Sequence, residues 1–239
     1  MQLDNLIVEV TRKCNMMCEH CLRGEPQNKT MKDEYMYNLL RQVSYISSVT
    51  FSGGEPTLPS GMKVIERFME ICNELGVSVG SFYIVTNAKS WRTKLPALIN
   101  RLYNFCDDNE VSHIDISNDR YHCGDANNFK WRLEEELLYN HGLEELVGLR
   151  EDIDPSHVIG EGRGVRFGTA PKDRETILYD EWDGELQIRE GSIYLNCNGN
   201  VVAGCDWSYE TQDEPEYILC KCDDDIEQSI LDYDLTERE

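Results

Sequence analysis

Cys14, Cys18 and Cys21 place three thiols within eight residues, spaced C-x3-C-x2-C. Thiolates at this spacing in a loop can face a common centre, which suits a metal ion or an iron–sulfur cluster. A tetrahedral zinc site or a fully protein-ligated cubane needs four ligands. Either a distant residue completes the set, or one metal position stays open. Gly53-Gly54-Glu55-Pro56 joins two glycines, which let backbone approach a partner closely, to a carboxylate. Read by itself it is a plain turn. Cys197, Cys205, Cys220 and Cys222 form a looser group near the C-terminus. They suit one further cluster or a zinc, or they are ordinary apolar thiols. Cys72, Cys106 and Cys123 are scattered and read as ordinary thiols. His113, His122, His141 and His157 have no ligand-like spacing, and Arg12 and Lys13 read as solvated charges. Trp131, Trp182 and Trp207 read as core or cover.

The elements that must position these residues follow from periodicity. The apolar run Leu6-Ile7-Val8-Glu9-Val10 reads as a strand over about 5–11 that feeds the cysteine loop. Thr30 reads as the N-cap of a helix over about 31–45, with Leu39, Leu40, Val43 and Ile46 on its apolar face. A short strand at 49–52 ends in the Gly-Gly-Glu turn. Val64, Ile65, Phe68, Ile71, Cys72 and Leu75 recur at helical spacing, and Gly76 stops that helix. A strand at 81–85 ends at Thr86-Asn87, and Pro96 suits the first turn of the next helix. Residues 112–117 alternate as a strand ending in Asn118-Asp119-Arg120, before a helix over 127–139. This alternation predicts a parallel sheet with crossover helices. Further on, 157–159 and 165–167 read as short strands around Gly160-Glu161-Gly162-Arg163-Gly164. Strands at 186–188, 192–195 and 201–203 follow, the last two joined through Asn198-Gly199, a strong hairpin signal. A short helix reads from 226 to 235.

Composition narrows the class. The chain has 239 residues, enough for one large α/β domain with a small appendage. Its net charge of −22 opposes the attraction that nucleic-acid backbones need, so nucleic acid is disfavoured as a partner. No run approaches the length of a membrane span, and Met1-Gln2-Leu3-Asp4-Asn5 has neither a basic nor an apolar signal region. The expected location is therefore cytoplasmic. Ten cysteines in that compartment, seven of them in two groups, point to ligation rather than to disulfides.

Cys14-x3-Cys18-x2-Cys21 after a first strand, with Gly53-Gly54-Glu55-Pro56 ending the next, resembles the radical S-adenosylmethionine (radical SAM) superfamily. The likeness is good over about residues 5–120 and looser beyond. It implies that the three thiolates hold a [4Fe–4S] cluster whose fourth iron binds the amino and carboxylate groups of S-adenosylmethionine. One-electron reduction then cleaves a C–S bond, and the 5′-deoxyadenosyl radical takes hydrogen from a substrate. Gly53 and Gly54 would let backbone approach the ligand, and Glu55 would accept from its ammonium group. His20 would be the aromatic residue near the adenine. Asn87, Ser117 and Asp119 resemble polar residues at the third and fourth strand ends that contact the ligand. Arg163 resembles a Gly-Arg element suited to the ligand's carboxylate, or it is a surface loop residue. Residues 193–205 with Cys220-Lys221-Cys222 resemble the opening and end of a SPASM or twitch extension, which carries auxiliary clusters in enzymes that often modify peptides. The dense C-x2-C-x5-C run of a full SPASM domain is absent.

The expected fold is α/β: a partial, open (β/α)6 barrel resembling a TIM barrel, with a small β-rich C-terminal extension. A radical SAM core over 1–180 would be followed by an acidic extension over 181–239. The expected activity is radical hydrogen abstraction, with a peptide or protein as substrate and a flavodoxin- or ferredoxin-type reductant as partner. The chain starts close to its first strand, so a leader peptide would need a separate recognition protein. A glycyl-radical activase, a nucleotide or small-molecule enzyme, and a zinc-binding interaction protein are the alternatives.

Overall fold

The run that the sequence places first is the centre of the sheet. The computed structural model describes residues 1–87, 89, 94–108, 111–119, 121–122, 126–151, 158–166, 168 and 177–236. Cys123 and His157 lie outside them. Strand β1 (Gln2–Thr11) leads into the cysteine loop and then to α1 (Asp33–Leu40). Next come β2 (Tyr45–Gly53), α2 (Pro59–Leu75), β3 (Ser78–Thr86), α3 (Lys94–Phe105), β4 (His113–Asn118), α4 (Ala126–His141) and β5 (Val147–Glu151). Strands β1 to β5 pair in sequence order, all parallel, which the intervening helices allow.

The C-terminal segment joins the same sheet. It contains β6 (Leu178–Trp182), β7 (Glu185–Glu190), β8 (Ser192–Leu195), β9 (Asn200–Ala203), β10 (Ile218–Lys221) and α5 (Ile226–Thr236). Strand β8 pairs parallel to the free side of β1, with Val8 opposite Leu195. Antiparallel β9 and β10 extend the sheet outward, while the β6–β7 hairpin touches β1 at Gln2. The resulting order, β10-β9-β8-β1-β2-β3-β4-β5, leaves an open α/β sheet dominated by parallel pairing. With neighbours on both edges, β1 buries all six residues from Leu6 to Thr11. Its continuous apolar run is the pattern expected of such a strand.

The main core lies between the sheet and the helices. Phe68 of α2 sits edge-on to Phe51 of β2, ring centroids 5.3 Å apart, and neither is exposed by more than 1%. Gly76 caps α2 at φ 72°, where its lack of Cβ removes the strain. A smaller cluster on the opposite face of β1 joins Ile7 to Tyr194, Val202 and Trp207.

Three local expectations differ from the structure. The first helix is shorter, because residues 29–31 run back along the end of β1. There the Met31 amide donates to the Val10 carbonyl, and Thr30 forms a bridge with Thr11 rather than a cap. Ile46, expected on that helix, lies in β2 because the parallel register begins at Gln2–Tyr45. Residues Gly162–Arg166 form a 3-10 turn rather than a strand, packed on the cysteine loop and not on the sheet. Trp131 and Trp182 are exposed, whereas Trp207 is buried.

Truncating Phe68 to alanine removes a ring from a closed core. It is expected to lower stability by about 3–5 kcal/mol in a denaturant titration.

Candidate functional site

The cysteine loop and the β2 turn are held together by main-chain contacts. The Gly54 amide donates to the Thr11 carbonyl at 2.7 Å, and the Glu55 amide to the Lys13 carbonyl at 2.9 Å. A Cβ on Gly53 would collide with the Thr11 carbonyl oxygen, and one on Gly54 with that of Lys13. The sequence reading set these glycines against a ligand. In the structure they also allow one backbone to lie on another, directly before Cys14.

Glu55 is buried and its carboxylate is already engaged. Oε1 accepts from the Thr57 amide at 3.0 Å, the Thr57 hydroxyl at 2.5 Å and the Thr86 hydroxyl at 2.7 Å; Oε2 accepts from the Asn87 amide at 2.8 Å. Glu55 therefore ties the end of β2 to the end of β3. The Asn87 side-chain amide donates to Asn15 Oδ1 at 2.9 Å and points at the Cys14 sulfur, 3.9 Å away.

A cavity of about 410 Å³ opens at these strand ends. Cys14, Cys18, Cys21, His20, Gly53, Gly54, Glu55, Asn87, Ser117 and Asp119 all line it, although they come from four separate stretches of chain. The C-terminal ends of parallel strands are where open α/β sheets receive ligands. Burial pushes the Cys18 thiol up to about 11, and the neighbouring Cys21 and Cys14 add to it.

Cys14, Cys18 and Cys21 all face one cavity, and three thiols are a donor set that fits an iron–sulfur cluster with one position left open. Among the described residues, His20, Asp119 and His122 form a group of metal-ligating side chains with ligand atoms all within 4.8 Å of one another.

His20 stacks on Tyr121 at 4.3 Å and meets His122 edge-on at 5.1 Å. Its buried Nδ1 has no hydrogen-bond partner. Desolvation lowers its pKa to about 4 against the pull of Asp119, so the ring is neutral near pH 7. Asp119 accepts from His122 Nδ1 at 2.9 Å and from the Tyr121 amide at 2.8 Å. Burial would raise its pKa, but these hydrogen bonds win and hold it below the ordinary carboxylate value. The sequence reading treated His122 as ordinary. An Asp-x2-His spacing in a strand-end turn was the available signal. Arg150, which also lines the cavity, was not singled out from the sequence.

Arg12 and Arg23, on either side of the loop, are buried rather than solvated. Arg12 pairs with Glu9 and donates to Asp213 at 2.9 Å and to Gln27 at 3.1 Å. Desolvation would lower its pKa, but the carboxylates of Glu9 and Asp213 outweigh it and hold the guanidinium charged. Asp213 in turn accepts from the side-chain amides of Asn196, Asn198 and Asn200 at 2.7–3.1 Å. Arg23 donates to the Trp207 carbonyl at 2.6 Å and lies over the Tyr194 ring.

In the second cysteine group Cys205 stands apart from Cys197, Cys220 and Cys222, which are buried in one core. Cys205 lines the cavity beside Asp206. Buried Cys197 donates to the Glu9 carbonyl at 3.1 Å. Cys220 and Cys222 are buried in the core along with Ile226 and Ile230 of α5.

Replacing Arg12 by methionine would strand the buried Glu9 carboxylate. A loss of about 3–5 kcal/mol is expected on denaturant unfolding.

No family model matches the sequence. Uncharacterized protein MJ0907 of Methanocaldococcus jannaschii is 30% identical over 108 residues, which are 42% of this chain and 36% of that relative's length. Among solved structures, native anSMEcpe with bound AdoMet and Cp18Cys peptide matches with a TM-score of 0.58. Sequence identity there is 13%, over 97% of this chain and 80% of that one. The same protein with AdoMet and Kp18Cys peptide matches with a TM-score of 0.57, again at 13% identity over the same shares. The chain thus has an open, parallel-dominated α/β fold like that of these AdoMet-bound structures.

Proposed function

We propose that this chain is a radical SAM enzyme that acts on a peptide or protein. The observation that carries the proposal is the convergence of Cys14, Cys18 and Cys21 with Gly54, Asn87, Ser117 and Asp119 on one strand-end cavity. The fold likeness to AdoMet-bound anSMEcpe across nearly the whole chain supports it. The peptides in those structures support the substrate class. An external one-electron donor of flavodoxin or ferredoxin type completes the reading.

When bound, a reduced [4Fe–4S] cluster with S-adenosylmethionine would supply the radical chemistry that removes hydrogen. The remaining work belongs to the chain. Cys14, Cys18 and Cys21 would hold three irons. Glu55, occupied by Thr57, Thr86 and Asn87, fixes the distance between two strand ends and so the width of the ligand site. The ionised Asp119 is an acceptor for ligand hydroxyl or ammonium groups, with Ser117 beside it on β4. Neutral His20 presents an aromatic edge without adding a charge next to an adenine. Residues 181–239 would act as an extension that covers the inner face of β1, with Trp207 packed on that side.

The proposal carries one cluster. Cys205 lines the cavity while Cys197, Cys220 and Cys222 are buried in the apolar core, which favours ordinary thiols over a second ligand set. No helix among the described residues is long and apolar enough to cross a membrane.

Anaerobic reconstitution tests this reading. Iron close to four per chain and 5′-deoxyadenosine after dithionite reduction are expected, and both should disappear in a Cys14→Ala, Cys18→Ala, Cys21→Ala triple variant. Bound zinc with no deoxyadenosine would sink the proposal. Iron near eight would restore the second cluster.

A further inference from the structure

Arg163 is the cation that the cysteine loop is built around from outside. Its Nε donates to the Cys18 carbonyl at 2.8 Å and its amide to the Cys21 carbonyl at 2.9 Å. Its Nη1 lies 3.3 Å from the Met17 sulfur. The side chain thus touches two residues of an eight-residue loop and the main chain a third. The guanidinium side chain is 17% exposed, and its ion-pair partner Glu25 stands 3.4 Å away, largely in solvent. Such a partner neutralises little, because exposed pairs are screened.

The turn that carries Arg163 is fitted to the loop. Gly162 has φ 54°, and a Cβ there would meet the Leu22 carbonyl, the Gly24 amide nitrogen and the Cys21 carbonyl. A Cβ on Gly164 would press on the Ile159 carbonyl. Glu161, just before the turn, accepts from the Ser208 amide at 3.1 Å and from the Thr211 hydroxyl at 3.0 Å. The turn is therefore pinned between the C-terminal segment and the cysteine loop, and its arginine has a defined position.

We propose that Arg163 is a positioning residue for the cluster loop whose charge also raises the reduction potential of the cluster held there. The inference rests on the [4Fe–4S] reading given above. Arg163 orders the loop by bonding to the carbonyls of two of the three cysteines. Reduction adds one electron to the cluster, and a fixed cation beside it stabilises the reduced form more than the oxidised one. The same engagement with the loop makes the guanidinium a partner of the protein rather than a free clamp for a ligand carboxylate.

The test compares wild type with Arg163→Lys and Arg163→Gln, all reconstituted anaerobically. Iron content, the midpoint potential from a redox titration followed by electron paramagnetic resonance, and the rate of cluster loss to a chelator are measured. Amide hydrogen exchange over 14–24 is measured on the cluster-free proteins. The Gln variant is expected at a more negative midpoint than wild type. The Lys variant, which keeps the charge and loses the fork, is expected close to the wild-type midpoint. Both variants should lose iron, and exchange loop amides, roughly tenfold faster, the effect of losing a charge-assisted hydrogen bond. An unchanged midpoint in the Gln variant overturns the electrostatic role. Unchanged exchange and chelation in both variants overturn the positioning role. A wild-type protein that takes up no cluster overturns the [4Fe–4S] reading and the potential claim with it, while exchange in the cluster-free chains still decides the positioning claim. If the Gln variant fails to fold, the Lys variant carries the loop test, and Gly162→Ala, which lifts the turn from the loop, should reproduce its faster exchange.

Discussion

Glu9 and Arg12 form an ion pair with no exposure to solvent at the end of the central strand. Desolvating two charges is expensive unless their remaining hydrogen bonds are met. Here they are met by Asp213, Gln27 and the Tyr194 hydroxyl. Three of these groups fix the start of the cysteine loop to other parts of the chain, two of them in the C-terminal segment. Arg23 repeats the device at the far end of the loop through the Trp207 carbonyl and the Tyr194 ring. A loop with almost no ladder of its own is thereby held at both ends by buried guanidinium groups.

The topology of the sheet makes those contacts available. Because β8 pairs parallel to β1, residues 196–200 arrive beside the point where β1 turns into the loop. The chain then returns through β9 and crosses the inner face, which brings Trp207, Tyr209 and Asp213 over Arg23 and Arg12. On the other flank, β2, β3 and β4 deliver Glu55, Asn87, Ser117 and Asp119 to the same level. The cavity is thus the meeting place of two halves of the chain, with β1 as the shared wall. Hydrogen bonds from His122 and Tyr121 hold Asp119 ionised, while desolvation keeps His20 neutral in the same small volume.

Much of this was legible before any coordinates. The strands from β1 to β4 and helix α2 follow from apolar periodicity, and Gly76 and Asn198-Gly199 mark the stops that they form. The cysteine spacing and the Gly-Gly-Glu turn singled out residues that line one cavity. What was misread was mostly charge and context. Arg12 next to Lys13 looks like a solvated pair, because a string of residues cannot show that a carboxylate 201 positions later reaches back to it. His122 has no ligand-like spacing, yet a tight turn folds it onto Asp119. Gly160 to Gly164 reads as a linker between strands, although its glycines serve a close approach to the cysteine loop.

The sequence by itself determined the local chemistry. Three thiols within eight residues, two glycines before a carboxylate, and the alternation of strand and helix are short-range features, written in neighbouring residues. The tertiary structure decided which long-range partners those features meet. It brought the three thiols to one cavity, occupied Glu55 with a strand-to-strand tie, set Cys205 apart from the other later cysteines, and placed Arg163 against Cys18 and Cys21. The physical reason is that burial and hydrogen-bond satisfaction depend on what packs opposite. That is a property of the sheet order and not of spacing along the chain.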